Sequence, residues 1–368
     1  MTAVTPPSRS EAFLAPDGSD RVRGDQWHLD FLRAGDAHRI SQGRGVVVAV
    51  PDTGVDPHPD LRRNLLPGAD MIAGGNGIGQ RDDNSHGTCM AGIIAAHGRS
   101  GEIGALGIAP ESKVLPIYDT PRNGLGEPSD LAKSIEYAVR NGADVISVSV
   151  ASSATVEMQR AIAMALAADV VVVAGAGNAP RERQVAYPAS ADGVIAVGGI
   201  DRTGRHATVS VTGAEIDVTA PATDIYCTGL NGRYRVSTGT SDATAIVAGA
   251  AALIRSKYPH LPAQEVAHRL TATAVDKGPP GRDDEYGYGV IDLVAALTAD
   301  VPPLGFESST VTPPPDGAPP TTAAEGDGDD TATARGLVTL GVLAAAGGGY
   351  LVWRRRRRAD DPPPRISR

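Results

Sequence analysis

The sequence predicts an α/β fold of three layers, in which a mostly parallel central sheet lies between helices on both faces. Four short runs that are continuous in Val and Ile predict strands buried on both faces. These runs are residues 46–50, 145–150, 170–174 and 194–197. Helical segments lie between or after them, at residues 87–97, 130–141, 157–168 and 243–257. Strands that alternate with helices of this length form a parallel sheet.

The composition suits such a core and excludes one class of partner. Hydrophobic residues make up 41% of the chain but aromatic residues only 4%, which is typical of an α/β core of small branched side chains. The net charge is −9, although five consecutive arginines stand at 354–358, so the rest of the chain is more acidic than this total. We therefore expect no nucleic-acid partner, because phosphate contacts need clustered Lys and Arg.

The two cysteines cannot form a disulfide framework. A single bridge between Cys89 and Cys227 is possible, but nothing in their spacing supports it. The chain contains no Cys-x-x-Cys or His-Glu-x-x-His pattern, so the sequence predicts no metal site.

Composition divides the chain into five segments. Residues 1–25 form an N-terminal extension and residues 26–299 the globular domain; residues 300–335 form a Pro-rich linker that cannot bury enough apolar surface to fold. Residues 336–353 carry no charge and end in Trp353, which predicts a single-pass transmembrane helix about 27 Å long, at 1.5 Å per residue. A buried core helix is the weaker alternative. The basic tail 354–368 then lies in the cytoplasm, which places the globular domain outside.

Three short motifs carry residues suited to chemistry. Asp52 follows a buried strand, at the edge where parallel sheets place their ligands. His86 opens a helix between small residues, and we expect that Gly87 and Gly92 stand where nothing larger fits. Ser241 begins a long helix. Taken singly, these residues could be a turn acid, a structural histidine and an N-cap serine.

Taken together, in the order Asp, His, Ser, the motifs resemble the subtilisin family. Its Asp-Thr-Gly, His-Gly-Thr and Gly-Thr-Ser motifs recur around Asp52, His86 and Ser241, and other triad families use other orders. The resemblance covers residues 27–297 and implies a subtilisin-like serine endopeptidase with these three residues as its triad. It also implies that the Asn178 amide and the Ser241 N–H form the oxyanion hole.

The same resemblance implies a binding cleft for an extended polypeptide. Two segments would flank the substrate, namely Gly124, Leu125 and Gly126 on one side and Ser147, Val148 and Ser149 on the other. The first specificity pocket would be bordered by Ala176 and Gly177, and the Tyr187-Pro188 bond would be cis. The chemistry requires no metal or other cofactor. Calcium is possible by analogy, but its ligands cannot be placed.

The match departs from the family at two points. Asp242 follows the nucleophile where the family usually has Met, and the sequence leaves open whether this carboxylate faces solvent or repels the oxyanion. The residues after the 145–150 strand also lack the usual glycines, which predicts a reshaped first pocket. These departures motivate an alternative function, in which the chain is a weakly active or non-catalytic component of a larger complex.

The Pro-rich linker, membrane span and basic tail make the chain most similar to the mycosins, the membrane-anchored proteases of type VII secretion. This similarity implies membrane proteins of a secretion complex as partners and an extracytoplasmic catalytic domain. Mycosins enter the membrane with a signal peptide, and residues 1–23 contain no apolar run of that length. We expect that the true start lies upstream of Met1, rather than another export route or a cytoplasmic domain.

Overall fold

The structure, a computed structural model, describes residues 13–14, 18–99 and 102–305. Most of the extension 1–25, nearly all of the linker, the predicted membrane helix 336–353 and the basic tail lie outside these residues. Of the helices that the structure describes, none is long and apolar enough to cross a membrane.

Ten strands are found in the described residues. They are β1 (Phe13–Leu14), β2 (Val47–Asp52), β3 (Ala69–Asp70), β4 (Lys113–Tyr118), β5 (Val145–Val148), β6 (Val171–Gly175), β7 (Ile195–Ile200), β8 (Val218–Pro221), β9 (Ile225–Thr228) and β10 (Tyr234–Ser237). Seven of them form a parallel sheet in the order β3-β4-β2-β5-β6-β7-β8, as predicted. The other three form a small antiparallel sheet in the order β1-β10-β9.

Nine α-helices are found in the same residues. They are α1 (Ser19–Asp25), α2 (Trp27–Phe31), α3 (Ala34–His38), α4 (His86–Ala95), α5 (Pro128–Arg140), α6 (Val156–Ala167), α7 (Thr240–Lys257), α8 (Ala263–Ala272) and α9 (Leu293–Thr298). The four predicted helices correspond to α4, α5, α6 and α7, and the four predicted strands to β2, β5, β6 and β7. The ends differ by three residues or fewer, which is usual for boundaries.

The central sheet separates two hydrophobic cores. Alternate side chains of each strand point to opposite faces, so Val48 and Val50 of β2 pack in one core while Ala49 packs in the other. The first core contains the buried side chains of α4 and α7, and the second contains those of α5 and α6. This arrangement confirms the three-layer prediction.

Cys89 of α4 and Cys227 of β9 form a disulfide bond with an S–S distance of 2.03 Å. The sequence offered no support for this bridge. It exists because the small antiparallel sheet packs against α4, which brings together two residues that are 138 positions apart. Both cysteines are fully buried.

Candidate active site

Asp52 and His86 meet at the carboxyl edge of the sheet, where β2 ends and α4 begins. His86 Nδ1 lies 2.8 Å from both carboxylate oxygens of Asp52 and donates its proton to them. The Asp52 carboxylate is buried and also accepts the Thr53 N–H at 2.7 Å. The ring is therefore held with Nε2 as its acceptor, and His86 lines an open cleft.

The charges around His86 determine when it can accept a proton. Burial alone would lower the pKa of His86, but the charge of Asp52 and the hydrogen bond to it outweigh burial, so the pKa is raised. Arg235 opposes this increase and Asp242 adds to it. Neutral His86 accumulates only as the pH rises through this raised pKa. A reaction that uses the ring as a base consequently becomes faster with pH over that range.

Two glycines of α4 allow the helix to approach its neighbours closely. A Cβ on Gly87 would lie 2.1 Å from the Gly54 carbonyl oxygen, and one on Gly92 would lie 2.0 Å from Thr228 Oγ1. Both distances are far below contact range, so the expectation that nothing larger fits is confirmed. Gly87 also brings α4 against Asp52, which allows the short contact to His86.

Asp82 positions the start of α4, a role that no sequence motif indicates. Its Oδ1 accepts the Ser85 N–H and the Thr53 hydroxyl, at 2.8 and 2.9 Å. Its Oδ2 accepts the N–H and the hydroxyl of Thr88, at 3.0 and 2.6 Å. One carboxylate therefore caps α4 and ties it to the end of β2, so that His86 and Asp52 are held by the same group.

Replacing Asp82 with Ala is expected to lower the free energy of unfolding by about 2 kcal/mol, because it removes a helix cap and leaves buried donors unpaired. Chemical denaturation measures this loss. Asp83→Ala is the matched control, since the neighbouring carboxylate is only partly buried and pairs with Arg81 at the surface. Equal stability of the two variants would contradict the capping role.

Ser241 lies in the first turn of α7 and faces the same cleft as His86. Its hydroxyl donates to the Ser149 carbonyl at 3.2 Å, and the Ser149 hydroxyl donates to the Ser241 carbonyl at 3.3 Å. These two bonds join α7 to the segment that follows β5. The Ser241 N–H belongs to the first turn of α7, where N–H groups have no partner within the helix.

Asp242 does not face the cleft. Its side chain is fully buried, and it is absent from the cleft lining although Thr240 and Ser241 are part of it. Asp242 Oδ1 lies 3.9 Å from the Cys89 sulfur, on the interior side of α4. The carboxylate therefore does not point to solvent, and it does not form part of the cleft wall.

Asn178 follows β6 and presents its amide to the cleft. The Thr240 N–H donates to its side-chain oxygen at 2.9 Å, and the Thr240 hydroxyl lies 3.3 Å from the same atom. Because a backbone N–H can only donate, the amide oxygen is fixed toward Thr240. The amide NH₂ group is then free to donate into the cleft beside Ser241.

The cleft has a volume of about 350 Å³ and contains most of the predicted site residues. They are Asp52, His86, Ser241, Asn178, Gly124, Leu125, Gly126, Ser149 and Gly177. The cleft is also lined by residues that the motifs do not predict, namely Thr53, Asn84, Thr120, Val150, Ala151, Gly175, Arg181, Glu182 and Thr240. The lining combines polar and apolar surface and carries charges of both signs.

Three predicted substrate-binding residues lie outside the cleft lining. Ser147 and Val148 are buried within β5, and the wall is formed instead by the residues after the strand, from Ser149 onward. Ala176 is fully buried, and the glycines on either side of it reach the cleft. In each case the side chain points into the core. A sequence motif names consecutive residues and does not show which of their side chains face the cleft. The Tyr187-Pro188 bond is cis, as expected.

No group of three or more His, Cys, Asp or Glu side chains could hold a metal ion among residues 13–14, 18–99 and 102–305. Calcium binding stays a prediction.

Comparison with known proteins identifies the class. The Subtilase family, Peptidase_S8, matches residues 43–289. The chain is 38% identical over 267 residues to the thermostable alkaline protease of Halalkalibacterium halodurans, covering 72% of this chain and 71% of the relative. It is 39% identical over 260 residues to subtilisin DY of Bacillus licheniformis, covering 69% and 92%. The chain belongs to the subtilase family.

Within this family the chain is a subtilisin-like serine protease, and its structural neighbours include structures of MycP1. The structure of the serine protease MycP1, described as an essential component of the type VII (ESX-1) secretion system, aligns with a TM-score of 0.69 and 33% identity. The alignment covers 79% of this chain and 93% of MycP1. The resemblance stated from the motifs is confirmed.

Proposed function

We propose that this chain is an active serine endopeptidase in which Asp52, His86 and Ser241 act as the catalytic triad. The observation that carries the proposal is the contact of His86 Nδ1 with both Asp52 oxygens at 2.8 Å, in a cleft that also holds the Ser241 hydroxyl. The Asn178 amide and the Ser241 N–H serve as the oxyanion donors. Two observations support this assignment: Asn178 lines the same cleft as Ser241, and its amide oxygen is bonded to Thr240, the residue before Ser241.

The proposed reaction proceeds in two steps. The Ser241 hydroxyl turns from the Ser149 carbonyl to His86 Nε2, gives up its proton and attacks the carbonyl carbon of a peptide bond. Asp52 stabilises the imidazolium, which then protonates the leaving amine as the C–N bond breaks. A water molecule, deprotonated by His86, hydrolyses the acyl-enzyme. The residues supply nucleophile, base and oxyanion donors, so the chemistry requires no metal.

The cleft suits an extended polypeptide. The Gly124, Leu125 and Gly126 segment and the residues that follow β5 both form part of its lining. Their backbone groups can pair with a substrate main chain, as in the addition of a strand. Leu125 is 60% exposed and offers an apolar contact at the rim.

We further propose that the protease works at a membrane beside a type VII secretion complex. The similarity to MycP1 over most of both chains supports the association with secretion. The uncharged segment 336–353 and the arginines after it support a single-pass anchor with an extracytoplasmic catalytic domain.

One of the two reasons for considering a non-catalytic function does not hold in the structure. It was based on a carboxylate at Asp242 that could oppose the oxyanion, and this side chain is buried away from the cleft. The other reason, the reshaped wall at Val150 and Ala151, concerns selectivity and not the chemical step. We therefore favour the active enzyme.

Labelling with a fluorophosphonate probe tests the proposal. The folded wild-type chain is expected to bind the probe covalently at Ser241, and a Ser241→Ala variant is expected to bind none. Profiling of a peptide library then gives the cleavage sites. Failure of the folded wild-type protein to react with the probe would favour the non-catalytic alternative.

Replacing Asn178 with Ala is expected to lower kcat by about 10²- to 10³-fold, a magnitude that the loss of this kind of donor produces in a subtilisin. The substrate KM should change little, because the donor acts mainly on the charge that develops in the transition state. Steady-state cleavage of a peptide from the library measures both constants. An unchanged kcat would remove Asn178 from the oxyanion hole.

A further inference from the structure

The backbone that carries Asn178 leaves the sheet one residue after β6 ends and must find new hydrogen-bond partners. The N–H groups of Ala176 and Ala179 donate to backbone carbonyls, at 2.9 Å each, and that of Gly177 donates to the Thr240 hydroxyl at 3.3 Å. The Asn178 N–H donates to the carboxylate of Glu182 at 2.8 Å. Asn178 is thus the one residue of these four whose N–H is bonded to a charged side chain.

Glu182 closes a loop on Asn178 with a second bond. The Glu182 N–H donates to the Asn178 carbonyl at 3.0 Å, so both backbone groups of Asn178 are bonded to the same residue. A hydrogen bond to a carboxylate is shorter and stronger than one between neutral groups. The backbone position of Asn178 therefore depends on Glu182, while the rotation of its side chain depends on Thr240.

The stem of Glu182 also packs against the residue that precedes Asn178. A Cβ on Gly177 would lie 3.0 Å from Glu182 Cβ and 3.2 Å from its Cγ, and Gly177 has a φ of +112°. Glu182 lines the cleft, its side chain is 18% exposed, and its second oxygen lies 3.3 Å from Arg181 Nε. Arg181 partly offsets a negative charge that would otherwise face the cleft alone.

We propose that Glu182 is a positioning residue that holds the Asn178 backbone where its amide can stabilise the oxyanion. This inference rests on the proposed function, since it requires Asn178 to act on the reaction. The hydrogen-bonding oxygen of Glu182 does the positioning. Its negative charge does not help the chemistry, because it lies on the same side of the cleft as the developing oxyanion.

Two substitutions separate the oxygen from the charge. Glu182→Ala removes the acceptor and is expected to lower kcat by about 10-fold with little change in KM, because small displacements of a catalytic donor are costly. Glu182→Gln keeps an acceptor oxygen and loses the charge. It is expected to retain the wild-type kcat or to exceed it by about 2-fold.

A double-mutant cycle shows whether Glu182 acts through Asn178. In a chain that already carries Asn178→Ala, the further change Glu182→Ala is expected to have almost no effect on kcat, since the group that it positions is gone. Arg183→Ala is the matched control, because Arg183 is exposed in the same loop and does not line the cleft. Melting temperatures of all variants identify any that fail to fold.

The inference would be overturned if Glu182→Ala kept the wild-type kcat, or if Glu182→Gln lost as much activity as Glu182→Ala. Additive effects of Glu182→Ala and Asn178→Ala on log kcat would also overturn it. If the wild-type chain reacted with neither the probe nor peptides, the proposed function itself would fail. A reactive wild type with an unaffected Glu182→Ala variant would overturn the role of Glu182 alone.

Discussion

Replacing Asp52 with Asn is expected to lower kcat by about 10⁴-fold, the loss that removal of the triad carboxylate causes in another serine protease. The Asn side chain preserves the shape of the site but can donate to His86 Nδ1, which favours the tautomer that carries its proton on Nε2. In that form the ring cannot accept the Ser241 proton. Steady-state cleavage of a peptide substrate over a range of pH measures the loss.

The pH profile of this variant carries a second expectation. Asp52 is the main cause of the raised pKa of His86. Without its charge the pKa falls, so the residual activity is expected to rise at a lower pH than that of the wild type. Asp56→Asn is the control, because the Asp56 carboxylate lies outside the cleft lining and accepts the Asn231 N–H, a bond that Asn can also accept. If the activity of the variant rose over the same pH range as that of the wild type, the pairing of Asp52 with His86 would be contradicted.

Removal of the disulfide with Cys89→Ala and Cys227→Ala is expected to lower the free energy of unfolding by about 3–5 kcal/mol. The bridge closes a loop of 138 residues, and a loop of this length restricts the unfolded chain strongly. Denaturation by guanidinium measures the loss. The wild type under reducing conditions should resemble the double variant, and an unchanged unfolding midpoint would contradict a stabilising role.

The fold could be predicted from the sequence where strands are continuous in Val and Ile. Strand β4 was missed, since Pro116 interrupts the run from Lys113 to Tyr118 and a proline argues against a strand with neighbours on both sides. It is nevertheless paired in register with β2. Proline lacks only its own N–H, and the neighbouring residues retain enough bonds to hold the strand.

The candidate site could be predicted where its residues stand in short motifs. The three motifs predicted that Asp52, His86 and Ser241 act together, and the resemblance added Asn178. The structure places all four residues in the lining of one cleft. The contribution of Asp82 and Glu182 could not be predicted, because each acts through hydrogen bonds that form only after loops and helices pack. The disulfide depends in the same way on tertiary contact and not on spacing.

The central sheet divides the interior into two cores, and different parts of the candidate site depend on different cores. His86 and Ser241 stand on α4 and α7, which share one hydrophobic core. The rims of the cleft continue into α5 and β5, whose buried side chains belong mainly to the other. We expect that substitutions in the second core change the rim of the cleft more than the positions of His86 and Ser241, and that their effect on Ser241 passes through its two hydrogen bonds with Ser149. For the proposed peptidase, peptide selectivity can therefore change through the second core with little effect on reactivity.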